Sequence, residues 1–320
     1  MTEKQNSNVT PVLLGAVLSL FDGMSCGQIA LNRAGIKYNN YFASEIDKHA
    51  IKVTQHNYHN TIQLGDVMQI QGVDLPQIDL LMGGSPCQGF SFSGKQLNFA
   101  DPRSKLFFEF VRLIKECNPK YWLLENVVMK KEFEQVITEH LGVEPIKINS
   151  ALVSAQNRER LYWANFPINQ PNDKGIKLID ILEDTEMIGP SAIRGRKLNK
   201  ATILGRRLND KGKREDYNKE IPITQCLEVR ATNRDKSNCI TTVAKDNVLT
   251  TMPIGRHPDA FKTKLPFRYY TIKEYCRLQT VPENYFDGVA SENQIRKMIG
   301  NGWNVDTIAH IFGGISYHHI

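Results

Sequence analysis

The sequence lacks the marks of several protein classes at once. Its six cysteines, spread over 320 residues, include no Cys-x-x-Cys pair and are too sparse for a secreted disulfide framework. Reduced thiols in a cytoplasm are the expectation. No apolar run is long enough for a bilayer: Val12 to Phe21, the longest near the start, is too short. The polar leader before it lacks the basic start of a signal peptide. No repeat or low-complexity linker is visible, and a three-glycine pyrophosphate turn is missing. His56 and His59 stand at helical spacing in a polar stretch, which suits an exposed helix face better than zinc, so no metal is expected. A soluble, intracellular chain with no membrane partner remains. Its 41% hydrophobic content excludes disorder, and its length favours two lobes.

A large excess of charge of one sign is also absent, the net charge being +6, but its distribution is uneven. Ser191 to Ile240 holds 13 basic and 6 acidic residues, a local +7, while the remainder is close to neutral. One positive segment beside a neutral body points to a polyanionic partner.

The first half alternates short apolar runs with helical patterns, the signature of βαβ units in a doubly wound α/β sheet. Strands are expected at Leu13–Phe21, Tyr41–Ile46, Thr61–Leu64, Ile78–Met82 and Tyr121–Leu124. A last pair is expected around Ile146–Val153 and Leu161–Ala164. Helices are expected at Ser25–Ala34, from Asp47 to about His56, and at Leu106–Cys117. From about Pro167 the rhythm gives way to short segments, and helical periodicity returns after Pro266, at Thr271–Gln279 and Val305–Phe312. Three stretches follow: 11–166, 167–265 and 266–320.

Ligands of open α/β sheets gather outside the carboxyl ends of the strands. Those ends read Phe21-Asp22-Gly23, Glu45, Asp66, Ser85-Pro86-Cys87-Gln88 and Glu125-Asn126. Each alone suits a turn or a helix cap, but all of them in order do not. Glu45 stands 22 residues after Gly23, where a carboxylate can bind ribose hydroxyls. Without the pyrophosphate turn, the site suits S-adenosylmethionine better than a nicotinamide dinucleotide. Cys87 lies in a Pro- and Gly-flanked loop, where an exposed thiol acts as a nucleophile only if a cation or helix end favours its thiolate. Arg158 and Arg160 are candidates for that cation.

These motifs resemble those of the C5-cytosine DNA methyltransferases, particularly the bacterial and bacteriophage enzymes, from about Val17 to Phe312. The resemblance rests on Pro86-Cys87-Gln88-Gly89-Phe90-Ser91, Glu125-Asn126-Val127 and Gln156-Asn157-Arg158-Glu159-Arg160. It continues in Arg268-Tyr269-Tyr270-Thr271, Arg277-Leu278-Gln279 and Gly300-Asn301-Gly302-Trp303. The Phe-Asp-Gly-Met-Ser-Cys-Gly turn looks like that of the animal de novo members. Ser25-Cys26 replaces a Gly-Gly common in bacterial members, and Val153-Ser154-Ala155 stands where Ile-Pro is common.

The resemblance implies a Rossmann-like S-adenosylmethionine-dependent sheet (11–166), a smaller target-recognition domain (167–265) and a hinge and C-terminal segment returning to the catalytic domain (266–320). It makes Cys87 the nucleophile at cytosine C6. Glu125 is then the group at N3 and the amine, Arg158 the holder of the base carbonyl, and Arg160 a positioning residue. The cofactor, S-adenosyl-L-methionine, falls to Phe21, Asp22, Gly23, Met24, Cys26, Glu45, Ile46, Asp66, Val67, Pro86, Leu106, Asn301, Gly302 and Trp303. DNA contacts are expected from Ser91, Lys95, Arg103, Arg230, Arg234 and Thr241, with the stretch from Gln88 to Lys105 closing over the duplex. The implied protein is a monomer acting on double-stranded DNA in the cytoplasm of a bacterial or bacteriophage-infected cell, with a cognate restriction endonuclease as a further partner. A tRNA cytosine-5 methyltransferase shares these motifs. An inactive DNA-binding homologue is the reading from a different class, and a nicotinamide oxidoreductase would need the absent glycine turn.

Overall fold

The computed structural model describes residues 12–85, 105–184, 199–230 and 235–316. Two units emerge. One gathers Met1–Ile148, Arg160–Gln170 and Val305–Ile320, and the other Asn149–Glu159 and Pro171–Asn304.

The first unit is built on a seven-stranded sheet. Its strands are β1 (Leu13–Leu20), β2 (Lys37–Ser44), β3 (Ile62–Gln63), β4 (Leu80–Gly83), β5 (Tyr121–Val127), β6 (Ile146–Asn149) and β7 (Glu159–Ala164), in the order β3-β2-β1-β4-β5-β7-β6. The strands from β3 to β5 pair in parallel and β7 runs antiparallel to β5. Central parallel strands are covered on both faces, so their sequences are nearly continuous apolar runs. In β1, Val17, Leu18 and Leu20 are fully buried. The helices are α1 (Cys26–Arg33), α2 (Lys48–Asn57), α3 (Lys105–Cys117) and α4 (Lys131–Leu141). Asp47 caps α2, its carboxylate accepting from the His49 N–H at 2.9 Å, and Gly142 ends α4 at φ 72°. In α3 the stripe Phe107, Phe110, Val111 and Leu113 joins the core under β1, β4 and β5.

Strand order reverses at β1 and β4, which places the binding crevice of such a sheet outside their carboxyl ends. Packing there is tight. A Cβ on Gly27 of α1 would stand 2.4 Å from Met82 Cε and 2.9 Å from Tyr41 Oη, so a larger residue there would have to displace the ends of both side chains.

The second unit holds a five-stranded sheet of β8 (Asn199–Arg206), β9 (Thr224–Val229), β10 (Val248–Thr250), β11 (Gly255–His257) and β12 (Phe267–Tyr269), ordered β11-β9-β8-β10-β12 and antiparallel throughout. Alternate residues Ala201, Ile203, Leu227 and Val229 form its core with Val248 and Ala260. The single turn α5 (Leu178–Ile181) and helices α6 (Ile272–Gln279) and α7 (Glu292–Asn301) belong to the same unit. Thr271 and Glu274 form a capping box that starts α6, and Glu274 also receives both Nη groups of Arg268 at 2.7 Å.

The observed division differs from the expected one at three places, the first being that residues 167–170 stay with the first unit. Asn149–Glu159 leaves the first unit although β6 and β7 flank it. Of the stretch 266–320, only the part from Val305 onward joins the first unit. The physical reason lies in α8 (Val305–Ser316), whose Ile308, Ile311, Phe312 and Ile315 are buried while the helix packs on α1. The fifth strand also runs further than expected, so Glu125 and Asn126 lie inside β5.

Candidate active site

Register places the strand ends side by side. Leu20 pairs with Ser44 and with Gly83, and Gly83 pairs with Leu124. One residue further along, Glu45, Phe21, Gly84 and Glu125 therefore form a row across the carboxyl edge of four adjacent strands. The first turn is held in unusual backbone. Phe21 (φ 58°) and Ser25 (φ 63°) are left-handed without being glycine, and Gly23 (φ 59°) lies between them. Each such non-glycine residue costs about 1–3 kcal/mol, a strain found where a turn must present its backbone to a ligand.

Glu45 fastens that turn. One oxygen accepts from the Gly23 N–H at 2.7 Å, and the other from the N–H groups of Ile46 and Asp47, each at 2.8 Å. A carboxylate offers about four acceptor positions, so roughly one is left for a hydroxyl. Ile46 beside it is 76% exposed, an apolar surface at the end of β2, and Met68, just after β3, is 51% exposed. Asp66 caps the turn that Met68 belongs to, its Oδ1 accepting from the Met68 N–H at 3.0 Å. The Met24, Cys26 and Val67 side chains are buried in the core, so these residues offer the crevice backbone only. Phe21 and Leu106 are half-buried against the core.

Asp22 is the least comfortable group of the turn. Tyr41 Oη donates to its Oδ1 at 2.7 Å, while Oδ2 is sealed from water and has no partner in hydrogen-bonding geometry. Burial pushes the carboxyl up from 3.8 to about 6, with the Ser19, Tyr41 and Ser25 hydroxyls moderating the rise and Glu45 adding to it. Because the folded protein then binds this proton more tightly than the unfolded chain, stability falls as pH rises from about 4 to 6. Asp22→Asn keeps an acceptor for Tyr41 and removes the charge. It is expected to raise stability above pH 6 by roughly 3 kcal/mol and to change little below pH 4. Urea midpoints across that range check it, and equal midpoints at pH 7 would contradict it.

At the other end of the row, Arg160 Nε stands 3.0 Å from Glu125 Oε1, with both side chains largely buried. Asn126 turns the opposite way along β5 and reaches the residues that follow β4. Its Nδ2 donates to Ser85 Oγ at 3.1 Å and to Ser85 O at 3.3 Å, immediately before Pro86-Cys87. Sequence reasoning gave Asn126 no role; its only signal was its place after Glu125. Pro86, Cys87, Ser91, Lys95, Arg103 and Arg234 lie outside the described residues.

Arg158 and Arg160 stand two residues apart and have different surroundings. Arg158 is 3% exposed and donates within the second unit, to Ile240 O and Cys239 Sγ at 3.3 Å, to Gly300 O at 3.3 Å and to Gly302 O at 2.8 Å. Gln156 does similar work there, bonding Ile240 N, Leu278 O and Gln279. Arg158→Met, which strands those carbonyls, is expected to cost roughly 3 kcal/mol or more in urea unfolding. A guanidinium acting on a substrate base would instead lower kcat and leave the midpoint unchanged.

The remaining expected residues also fall in the second unit. Asn301 ends α7 and is exposed, Gly302 O accepts from Arg158 and Gln279, and Trp303 is half-buried. Thr241 spends its hydroxyl on its own turn, donating to Asp246 Oδ2 at 2.6 Å. Arg230 meets Glu228. Among the described residues no cluster of three or more His, Cys, Asp or Glu could hold a metal, and no helix is long and apolar enough to cross a membrane.

The chain is 39% identical over 162 residues to the orphan methyltransferase M.SPRI of Bacillus phage SPR, covering 46% of this chain and 36% of that protein. It is 31% identical to the type II methyltransferase M1.ScrFI of Lactococcus lactis subsp. cremoris, covering 91% of this chain and 75% of that one. The match to the phage protein thus spans little more than a third of it. Among solved structures, a putative DNA modification methyltransferase from an E. coli prophage superposes with a TM-score of 0.62 at 20% identity, over 95% of this chain and 99% of that one. The Entamoeba histolytica methyltransferase EhMeth gives 0.70 at 16% identity, over 96% and 99%. Both show a shared fold. Residues 15–316 match the C-5 cytosine-specific DNA methylase family, whose methyl donor is S-adenosyl-L-methionine, and the chain belongs to that family.

Proposed function

We propose that the chain is a DNA (cytosine-5-)-methyltransferase that takes its target cytosine out of the duplex and methylates C5. The observation that carries this reading is the Glu125–Arg160 pair, set in the same row as Gly84, three residues before Cys87 in the sequence.

The first turn fits the methyl donor. Asp22 presents a buried carboxylate oxygen without a partner, which a cationic sulfonium or ammonium group would satisfy. Glu45 keeps an acceptor position for a ribose hydroxyl, and Ile46 and Met68 offer apolar surface for a purine. When bound, S-adenosylmethionine supplies an electrophilic methyl group. The chain's own residues do the rest. Cytosine C5 is a poor nucleophile until the ring's aromaticity is broken, and a thiolate at Cys87 breaks it by bonding to C6. Glu125 holds the N3 and amine edge as electrons move into the ring. Arg160, beside Glu125, is placed to steady the charge growing at the base carbonyl, and Arg158 braces the second unit. That reverses the roles the resemblance gave the two arginines. Loss of the C5 proton and departure of the Cys87 sulfur restore the ring.

C5 and C6 of a stacked base are closed to a thiol, so the nucleotide must leave the stack at a cost of a few kcal/mol. The basic residues of 191–240 supply phosphate affinity for a duplex. Transfer of labelled methyl groups, assayed side by side on duplex DNA and on tRNA, tests the reading. Transfer to duplex DNA is the expected result, and transfer to tRNA alone would overturn it.

A further inference from the structure

The second unit carries a polar cluster that the proposed chemistry leaves unused. Thr202 of β8 and Arg256 of β11 both stand opposite Glu228 of β9. Alternation therefore puts Arg206, Glu228 and Arg256 on the sheet face turned away from the Ala201–Ile203–Leu227–Val229 core. Glu228 receives three guanidiniums. Nε of Arg206 (2.7 Å) and Nε of Arg256 (3.3 Å) reach Oε1, and an Nη of Arg230 (3.2 Å) reaches Oε2. Arg206 and Arg214 also meet Asp216. Four guanidiniums against two carboxylates leave two positive charges without compensation. The arginines hold the Glu228 carboxyl down at about 2, Arg206 most strongly, so it stays ionised.

The three partners are not equivalent. Glu228 is 8% exposed and Arg206 13%, an inner pair, whereas Arg256 is 35% and Arg230 70% exposed. Burying a carboxylate under one arginine satisfies it; gathering two more there adds like-charge repulsion and has to serve something else. The outer guanidiniums gain a fixed orientation, and the Nη groups of Arg256 donate to no described residue. Phosphate contacts tolerate a loose cation such as lysine. A fork held on edge suits the paired O6 and N7 acceptors of guanine, in a major groove wide enough for a β-ribbon. β9 and β11 are the antiparallel pair at one edge of the five-stranded sheet, where such a fork can be offered to a groove.

We infer that Glu228, Arg230 and Arg256 form a base-reading site in which Arg256, positioned by Glu228, takes the acceptor edge of a guanine in the target sequence, with Arg230 beside it. The inference rests on the proposed action on duplex DNA and names the site that selects the sequence. It is tested on bacterial genomic DNA free of cytosine methylation, treated with the purified protein and S-adenosylmethionine and read by bisulfite sequencing.

Arg256→Ala and Arg256→Lys should both lose about tenfold or more of the preference at one guanine position and keep the others. Glu228→Gln should relax the same position by a smaller factor, and Glu228→Asp should restore part of it. Arg230→Ala, at the most exposed member, tests the site without disturbing the buried pair, and thermal melts identify any variant that fails to fold. Unchanged sequence preference in active variants would overturn the inference alone. So would activity retained by Arg256→Lys together with a uniform loss and a salt slope reduced by about one in Arg256→Ala, the behaviour of a phosphate contact. No methylation of DNA by the unsubstituted protein would overturn the proposed function as well.

Discussion

Cys87→Ala is expected to lower methyl transfer by about 10⁴-fold or more while leaving affinity for S-adenosylmethionine and for DNA largely intact. The size follows from the chemistry: without covalent addition at C6 the ring keeps its aromaticity, and no other group described near the row can replace a thiolate. Removing a nucleophile that acts in concert with its neighbours costs about as much as removing all of them. Labelled-methyl incorporation into duplex DNA measures the loss, and fluorescence or calorimetric titration measures what remains of binding. A variant that still transfers at the normal rate would end the covalent mechanism. A second readout separates addition from mere proximity. Duplex DNA carrying 5-fluorocytosine at the target should trap a covalent complex with the unsubstituted protein, because fluorine at C5 cannot leave as a proton does. The alanine variant should trap none.

The βα half of the fold is legible because its central strands are buried on both faces and so are written as apolar runs. β1 is found within a residue of its expected end. The row of candidate groups follows from those strand ends, Glu45 standing just past β2 and Gly84 just past β4. Helices α4 and α7 leave weaker traces. In α7 the buried residues are Ile295, Met298, Ile299 and Gly300 among polar neighbours, too short a stripe to stand out beside loops of similar composition. The contrast between Arg158 and Arg160 is invisible for a different reason. Their difference lies in partners far along the chain, Ile240 and Gly302 for one and Glu125 for the other. Glu228 is obscured in the same way. In the charge count it merely dilutes a basic segment, yet it draws together arginines that register brings from separate strands. Local pattern records burial; it does not record which distant group a polar side chain meets.

The Glu125–Arg160 pair gives the second large effect, and its two halves should fail differently. Glu125→Gln keeps the shape and a hydrogen bond toward the base but loses the charge that answers Arg160. The expected result is a kcat about 10²–10³-fold lower with cofactor affinity unchanged. Arg160→Ala removes the cation from a carboxylate whose side chain is 11% exposed. Glu125 then faces desolvation without its partner, which costs up to about 3–5 kcal/mol for a fully buried pair and less here, where water reaches both groups. Arg160→Ala should therefore lower both kcat and the urea midpoint, whereas Glu125→Gln, which keeps an acceptor for the Arg160 Nε, should lower kcat and shift the midpoint less. The double variant decides whether the two act as a unit. If Glu125 and Arg160 jointly steady the charge that builds in the ring, removing both should cost little more in kcat than the worse single change, and the midpoint should recover in part because no unpaired charge remains. Losses in kcat that simply multiply would mean that the pair holds the strands together and the base is met by other groups. Steady-state kinetics on duplex DNA with urea unfolding of the same four proteins supply both readings.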